Sequence, residues 1–388
     1  MSPEPSSGEG EARSSRRITS LAIAALKPYE PGKPIEEVER ELGVKHAIKL
    51  ASNENVWGPS PTAIEAARSA LDKLWMYPDA ASHALRSDIA AFHGVAMNQV
   101  VVGNGSNEII NMLVRCFVQP GQSVASSGGS FVAYKIGAQS HGHRYIESPL
   151  GPDYGYDLDA LLTTIEDTTR LVFIANPNNP TGTLISQARL NAFLVALDMR
   201  EWGPQGPPIV VLDEAYVEFI DPRERPDAPD SFAVFRARPR VVLLRTFSKA
   251  YGLAALRVGY AICEPDIADY LNRVRDPFNL NVMAQVAGRA ALADQAWMRD
   301  CVGQAIAQRV VVSAALTAMG LAVVPSQANF VLFDLGRNAK EVNDQLMLRA
   351  LIARPVGPSG LPSHLRVTVG REHENERVLE ALRVVLGG

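Results

Sequence analysis

From residue 100 onward, short β-branched and apolar runs alternate with stretches whose apolar residues return every third or fourth position. The runs at 100–102, 123–125, 171–175, 209–212, 241–244 and 258–262 read as buried strands, because a strand covered on both faces shows no polar alternation. Helical spacing occupies 107–117, 131–139, 158–165 and 190–197. Strands alternating with helices predict an α/β fold built on an open, mostly parallel sheet covered on both sides. A long helical pattern at 294–319 follows, then a second α+β segment with strands at 329–333 and 365–369 and helices at 340–351 and 374–386. Upstream lie a short helix from Ile18, a proline-punctuated arm at 27–32, a strand at 47–50 and a helix opened by Pro61. No internal repeat is present.

The 388 residues exceed what one core usually fills, so two domains are expected. The expected division is a disordered tail at 1–17, an arm and part of a small domain at 18–51, a large domain at 52–275 and a small C-terminal domain at 276–388. A net charge of −4 gives no basic field for nucleic acid. Cys116, Cys263 and Cys301 have no paired spacing, which points to reduced thiols in the cytoplasm rather than to a zinc site or disulfides. No apolar run suggests a membrane span. Ala22-Ile23-Ala24 looks like an export cleavage site, but the apolar stretch before it is too short for a signal peptide.

Four strand ends carry polar residues, and open α/β sheets bind ligands outside the carboxyl ends of their strands. Gly103-Asn104-Gly105-Ser106-Asn107-Glu108 can present backbone N–H groups and a helix N-terminus to a phosphate. Asn176-Pro177-Asn178-Asn179-Pro180-Thr181-Gly182 fixes a tight turn where the 171–175 strand stops. Asp213 ends the next strand, where a buried carboxylate needs a partner such as a cationic ring nitrogen, and Tyr216 follows with a hydroxyl to donate. Lys249 sits just past the 241–244 strand with Arg257 downstream. Burial and a neighbouring cation lower a lysine's pKa, and the free amine forms Schiff bases. These groups describe one ligand with a phosphate, a hydroxyl, a ring nitrogen and an aldehyde, which is pyridoxal 5′-phosphate (PLP).

In this order, KPYEPG at 27–32, SNEN at 52–55, MYP at 76–78, GNGSNE at 103–108, NPNNPTG at 176–182, DEAYVEF at 213–219, TFSKAYGLAALRVGY at 246–260, ANF at 328–330 and LRVTVG at 365–370 form a specific set. From about Leu26 to the C-terminus the chain resembles the fold-type I PLP-dependent aminotransferases, and the histidinol-phosphate aminotransferases in particular. The resemblance implies a mostly parallel seven-stranded sheet in a large domain, a smaller α+β domain and a homodimer. It implies that Lys249 carries the cofactor and moves the proton, that Asp213 pairs with the ring nitrogen, and that Asn176 and Tyr216 bond the ring hydroxyl. Ser106, Asn107, Thr246, Ser248 and Arg257 would hold the phosphate, with Tyr77 reaching the neighbouring subunit's cofactor. Tyr29, Asn55, Arg354 and Arg366 would bind substrate, Tyr29 across the subunit boundary. The family's proline-containing turn before the stacking aromatic is replaced by Gly128-Gly129-Ser130, so Phe131 fills the stacking position with Tyr134 as the alternative.

The expected reaction moves an amino group from L-histidinol phosphate to 2-oxoglutarate. An aromatic or broad-range aminotransferase and a threonine-phosphate decarboxylase share much of the pattern. A non-catalytic regulator on the same body would need a DNA-binding domain, for which the polar tail before Ile18 leaves no room, and would tolerate loss of Lys249.

Overall fold

The computed structural model describes residues 19–26, 28 and 32–387. A short strand β1 (Ile48–Lys49) precedes a sheet made of β2 (Val100–Gly103), β3 (Ser123–Ser127), β4 (Arg144–Ser148), β5 (Thr169–Ala175), β6 (Ile209–Asp213), β7 (Val241–Thr246) and β8 (Gly259–Ile262). These seven strands run in the order β2-β8-β7-β6-β5-β3-β4. All neighbours are parallel except β8, which is antiparallel to both β2 and β7.

The continuous apolar runs are explained by the two covered faces. Val172, Ile174, Val210, Leu212, Val241 and Leu243 point into one core. The residues between them, Leu171, Phe173, Val211, Val242 and Leu244, point into a second core on the other side. With side chains alternating along each strand, both sets must be apolar when both faces are packed. The edge strand β4 escaped the sequence pattern for the same reason in reverse. It has one neighbour, and Arg144 and Glu147 are exposed, so no buried run marks it.

The smaller unit has strands β9 (Ala322–Val324), β10 (Phe330–Asp334), β12 (Arg354–Pro355) and β13 (His364–Thr368) in the antiparallel order β12-β13-β10-β9. Between them β11 (Leu351–Ile352) pairs in parallel with β1, which stitches the N-terminal segment to this unit. The expected boundary at 275/276 falls inside the large core rather than at its edge. Ala284, Ala287, Ala291 and Leu292 of the helix Val282–Ala293 are buried in the core that covers the large sheet.

The helix Gln295–Ala318 joins the two units. At 24 residues it is long and apolar enough to cross a membrane by length and composition, contrary to the sequence expectation. Here Met298, Val302 and Ala305 are buried in the core of the large unit, and Val312 and Leu316 in that of the small one. Its Arg309 is 3% exposed and donates to the carbonyls of Phe219 at 3.0 Å and Ala328 at 3.1 Å. A guanidinium bonded at once to a loop of each unit fixes how the two meet.

Two glycines let the sheet accept a helix N-terminus. Gly103 and Gly259 face each other across β2 and β8. A Cβ on Gly259 would stand 2.5 Å from the Ser106 backbone nitrogen, so any side chain there pushes that nitrogen off the sheet. Gly259→Ala should therefore cost about 1–3 kcal/mol of stability, as overpacking does. Urea unfolding of parent and variant measures this, and equal midpoints would contradict the close approach.

Candidate active site

Asp213, the last residue of β6, is the chemical centre of the sheet's carboxyl edge. It is 4% exposed, and its bonds among the described residues come from neutral donors. The Tyr134 hydroxyl donates to Oδ2 at 2.7 Å and the Ala215 N–H to Oδ1 at 3.2 Å. Burial pushes the carboxyl pKa up to about 6 against the pull of those two donors, and the neighbouring Glu214 adds to the rise. Glu214 itself is neutralised by Arg245 at 2.8 Å. A buried carboxylate held by neutral donors suits a cationic partner supplied by a ligand.

The anion cradle is built to one side of β6, from the end of β7, the turn before β8 and the helix after β2. The helix Ser106–Phe117 starts at Gly105, whose φ of +76° is the left-handed conformation glycine tolerates. This brings the helix N-terminus and its free N–H groups to the cavity. Arg257 reaches in from the turn before β8 and donates to Ser248 Oγ at 3.5 Å and to the Ala254 carbonyl at 3.2 Å. The Ser248 N–H donates to Thr246 Oγ1 at 3.1 Å. Helix amides, two hydroxyls and a guanidinium converge on one volume, which is how a phosphate is held.

Lys249 borders the same cavity. Its Nζ donates to the Ser52 carbonyl at 3.0 Å and lies 5.8 Å from the Tyr216 ring centre. Burial first, then Arg366 and Arg257, lower its pKa to about 8, with Glu54 opposing them. The amine is thus far closer to its neutral, nucleophilic form than a surface lysine is. Tyr216 Oη accepts from Asn53 Nδ2 at 2.9 Å, and its ring packs edge-on against Phe330 of the small unit.

The small unit closes the cavity with two arginines. Arg354 of β12 and Arg366 of β13 are direct cross-strand partners. Arg366 donates to the Ala51 carbonyl at 2.7 Å and to Asn179 Oδ1. Both residues line the cavity that Lys249 and Asp213 border.

Ser106, Asn107, Phe131, Asp213, Tyr216 and Thr246 thus meet in one cavity of about 260 Å³, together with Ser248, Lys249, Arg257, Arg354 and Arg366. Three expected residues do not. The Asn176 amide is committed to Ile185, accepting from its N–H at 2.8 Å and donating to its carbonyl at 3.4 Å. The asparagine of that turn facing the cavity is Asn179, which also contacts Arg366. Asn55 likewise serves the backbone. It donates to the Ala250 carbonyl at 2.9 Å and accepts from the Trp57 N–H at 3.0 Å, so it braces the turn after Lys249 rather than facing the cavity. Tyr77 is 81% exposed on the outside of the chain, stacked on Phe278 at 4.5 Å. Tyr29 lies outside the described residues.

Phe131 and Tyr134 both line the cavity but sit in different surroundings. Tyr134 is fully buried, stacked on Phe173 at 4.5 Å and bonded to Asp213, while Phe131 faces the cavity edge-on to it. Asn53, Asn179 and the Tyr134 hydroxyl were missed by sequence reasoning. Asn53 and Asn179 sat within the quoted motifs SNEN and NPNNPTG, but which asparagine faces inward depends on the turn.

Sheet and cavity together define an α/β enzyme that offers an amine, a carboxylate and an anion cradle to one ligand. A profile of the aminotransferase class I and II family matches residues 45–382. The chain belongs to that family. It is 50% identical over 366 residues to histidinol-phosphate aminotransferase of Anaeromyxobacter sp. (strain Fw109-5), covering 94% of this chain and 98% of that one. It is 44% identical over 368 residues to histidinol-phosphate aminotransferase of Moorella thermoacetica, covering 94% and 92%. The crystal structure of histidinol-phosphate aminotransferase from Sinorhizobium meliloti in complex with pyridoxal-5′-phosphate matches with a TM-score of 0.86 at 30% identity, covering 96% of this chain and 99% of that one.

Asp213 is destabilising until a cation joins it. Its folded pKa of about 6 lies above the unfolded value, so ionisation costs the folded state as pH rises from about 4 to about 6. Asp213→Asn should make the cofactor-free protein more stable than its parent at pH 7 and above, by on the order of 3 kcal/mol. The gain should shrink as pH falls below about 6 and vanish below about pH 3, where the carboxyl is protonated in both states. Urea unfolding at the two pH values tests this, and a pH-independent difference would contradict it. For Lys249, uptake of PLP by cofactor-free protein should speed up through about pH 8. Arg366→Gln should move that midpoint upward, and an unmoved midpoint would remove Arg366 as a cause.

Proposed function

We propose that this chain is a PLP-dependent transaminase that moves the amino group of L-histidinol phosphate to 2-oxoglutarate. The observation that carries the reading is the pair Arg354 and Arg366, directly opposed across β12 and β13 on the wall of the cavity that Lys249 borders. A phosphate ester has more charge and one more acceptor oxygen than a carboxylate, and two guanidinium forks use both. The likeness to the histidinol-phosphate aminotransferases of Anaeromyxobacter and Moorella supports the same substrate.

The cavity fits PLP on the chemistry of its donors. Ser106, Asn107, Thr246, Ser248 and Arg257 would hold its phosphate, Asp213 would pair with its ring nitrogen, and Phe131 would lie against its ring. Tyr216 and Asn179, in place of the expected Asn176, would bond its ring hydroxyl. When bound, PLP withdraws the electrons left behind as the substrate Cα–H bond breaks. Asp213 would keep a proton on the ring nitrogen. Lys249 would hold the cofactor through Nζ and, as a free amine, would take up at Nζ the proton that leaves the substrate Cα and give it back when the amino group is handed on. Arg366 anchors the α-carboxylate of glutamate in one half of the cycle and the phosphate in the other. Arg354 joins it for the phosphate.

A second copy of the chain completes the site. Leu74, Trp75, Met76 and Tyr77 are exposed side by side, Trp75 and Tyr77 each to 81%. A contiguous apolar patch of this kind is covered by a partner. Tyr77 of each subunit would then reach the other's cofactor phosphate. The three free cysteines suit a cytoplasmic enzyme.

Histidinol phosphate, phenylalanine and threonine phosphate, each supplied with 2-oxoglutarate, separate the readings. Glutamate should form fastest with histidinol phosphate and CO₂ should not appear. Preference for phenylalanine, or CO₂ from threonine phosphate, would overturn the substrate assignment. Arg354→Ala should lower kcat/KM for histidinol phosphate at least tenfold and for glutamate by much less, as loss of one charged hydrogen bond implies. Equal losses would place Arg354 outside the phosphate site. Mixing Lys249→Ala with Tyr77→Phe subunits should restore part of the activity that each lacks, since some hybrids carry one intact site. No recovery after proven subunit exchange would rule out shared sites.

A further inference from the structure

We propose that Tyr156 is a positioning residue: its hydroxyl ties the loop that carries Phe131 to the end of β5 and so fixes where the Phe131 ring stands relative to Asp213. This deepens the reading above and rests on Phe131 lying against the cofactor ring.

The need for such a tie comes from the sheet. β3 and β5 run side by side only as far as Ala125 and Val172. Beyond that point β5 continues to Ala175, while the 128–131 loop leaves the sheet. On the side of β6 the ladder is intact, because the Asn176 N–H donates to the Asp213 carbonyl at 2.9 Å. On the open side the Ala175 N–H has no strand to donate to, and a buried N–H without an acceptor is costly.

Tyr156 supplies that acceptor. Its ring is buried, and Oη accepts from the Ala175 N–H at 3.1 Å. The same oxygen lies 2.5 Å from Ser130 Oγ and 3.2 Å from Ser126 Oγ. Ser126 gives its own hydrogen to the Phe173 carbonyl at 2.8 Å. One phenol oxygen therefore joins β3, β5 and the residue immediately before Phe131. A second strap acts on the same loop, where Asn178 Nδ2 donates to the Gly129 carbonyl at 3.1 Å. Both straps start from β5 or its turn, and Ala175 is the register partner of Asp213. The chain of contacts from Asp213 through Ala175 and Tyr156 to Ser130 is thus short and rigid. Tyr156 does not line the cavity and acts only through the residues it holds.

Three variants test this in the full-length protein: Tyr156→Phe, Ser130→Ala and, as reference, Phe131→Leu. The readouts are the dissociation constant of PLP in reconstitution of cofactor-free protein and the circular dichroism induced in the bound PLP band, which reports a ring held in one orientation. Thermal unfolding of the cofactor-free protein is measured alongside. Tyr156→Phe and Ser130→Ala should each weaken PLP binding about fivefold to tenfold, the worth of one positioned hydrogen bond, and shrink the induced band per bound PLP. Ser130→Ala should do so with little change in Tm, because the Ala175 N–H keeps its acceptor. Parent affinity and parent dichroism in both, with weakened binding in Phe131→Leu, would overturn the positioning role while leaving Phe131 in place. Parent behaviour in all three would overturn the Phe131 placement and the role of Tyr156 with it.

Discussion

The structure depends on keeping a carboxylate and an amine buried near one another's cavity without letting them neutralise. Asp213 is surrounded by neutral donors, and Lys249 by a carbonyl and two arginines. Each environment moves its group toward neutral pH, the acid upward by burial and the base downward by burial and like charge. Groups perturbed in opposite directions in one cavity are the mark of acid–base chemistry. The stability cost is borne by the two cores that sandwich the sheet, whose strands can be wholly apolar because both faces are covered.

The sheet also explains why these groups meet. Ala175, Asp213 and Thr246 end adjacent parallel strands, so the residues that follow them emerge at one edge. The antiparallel β8 then returns the chain so that Arg257 and Gly259 lie beside Thr246 and under the helix N-terminus. The small unit contributes what the sheet cannot, two arginines in cross-strand register. Asn179 on the large unit contacts one of them, so the turn after β5 is joined directly to the arginine pair of the small unit.

Much of this was legible in the sequence because parallel strands advertise themselves as buried runs and end in polar residues with few other uses. Asp213 and Lys249 were readable on that ground. What failed was the direction of side chains inside turns. Asn176 and Asn179 belong to one motif, and only the path of the turn decides that the first bonds Ile185 and the second faces the cavity. Asn53 and Asn55 repeat the lesson, one holding Tyr216 and the other the Ala250 carbonyl. Tyr134 was hidden differently, since its partner Asp213 is 79 residues away and only the fold brings them to 2.7 Å. The edge strand β4 was missed because exposure on its outer side removes the hydrophobic run that reveals its neighbours.

The central claim is that Lys249 is the residue that carries PLP. Borohydride reduction of the purified, PLP-loaded protein, followed by proteolysis and mass analysis, tests it directly. The account predicts one pyridoxyl-phosphate adduct per chain, on the peptide that contains Lys249, and none in Lys249→Ala. A stoichiometric adduct on any other lysine, or a Lys249→Ala protein that still turns over, would contradict it.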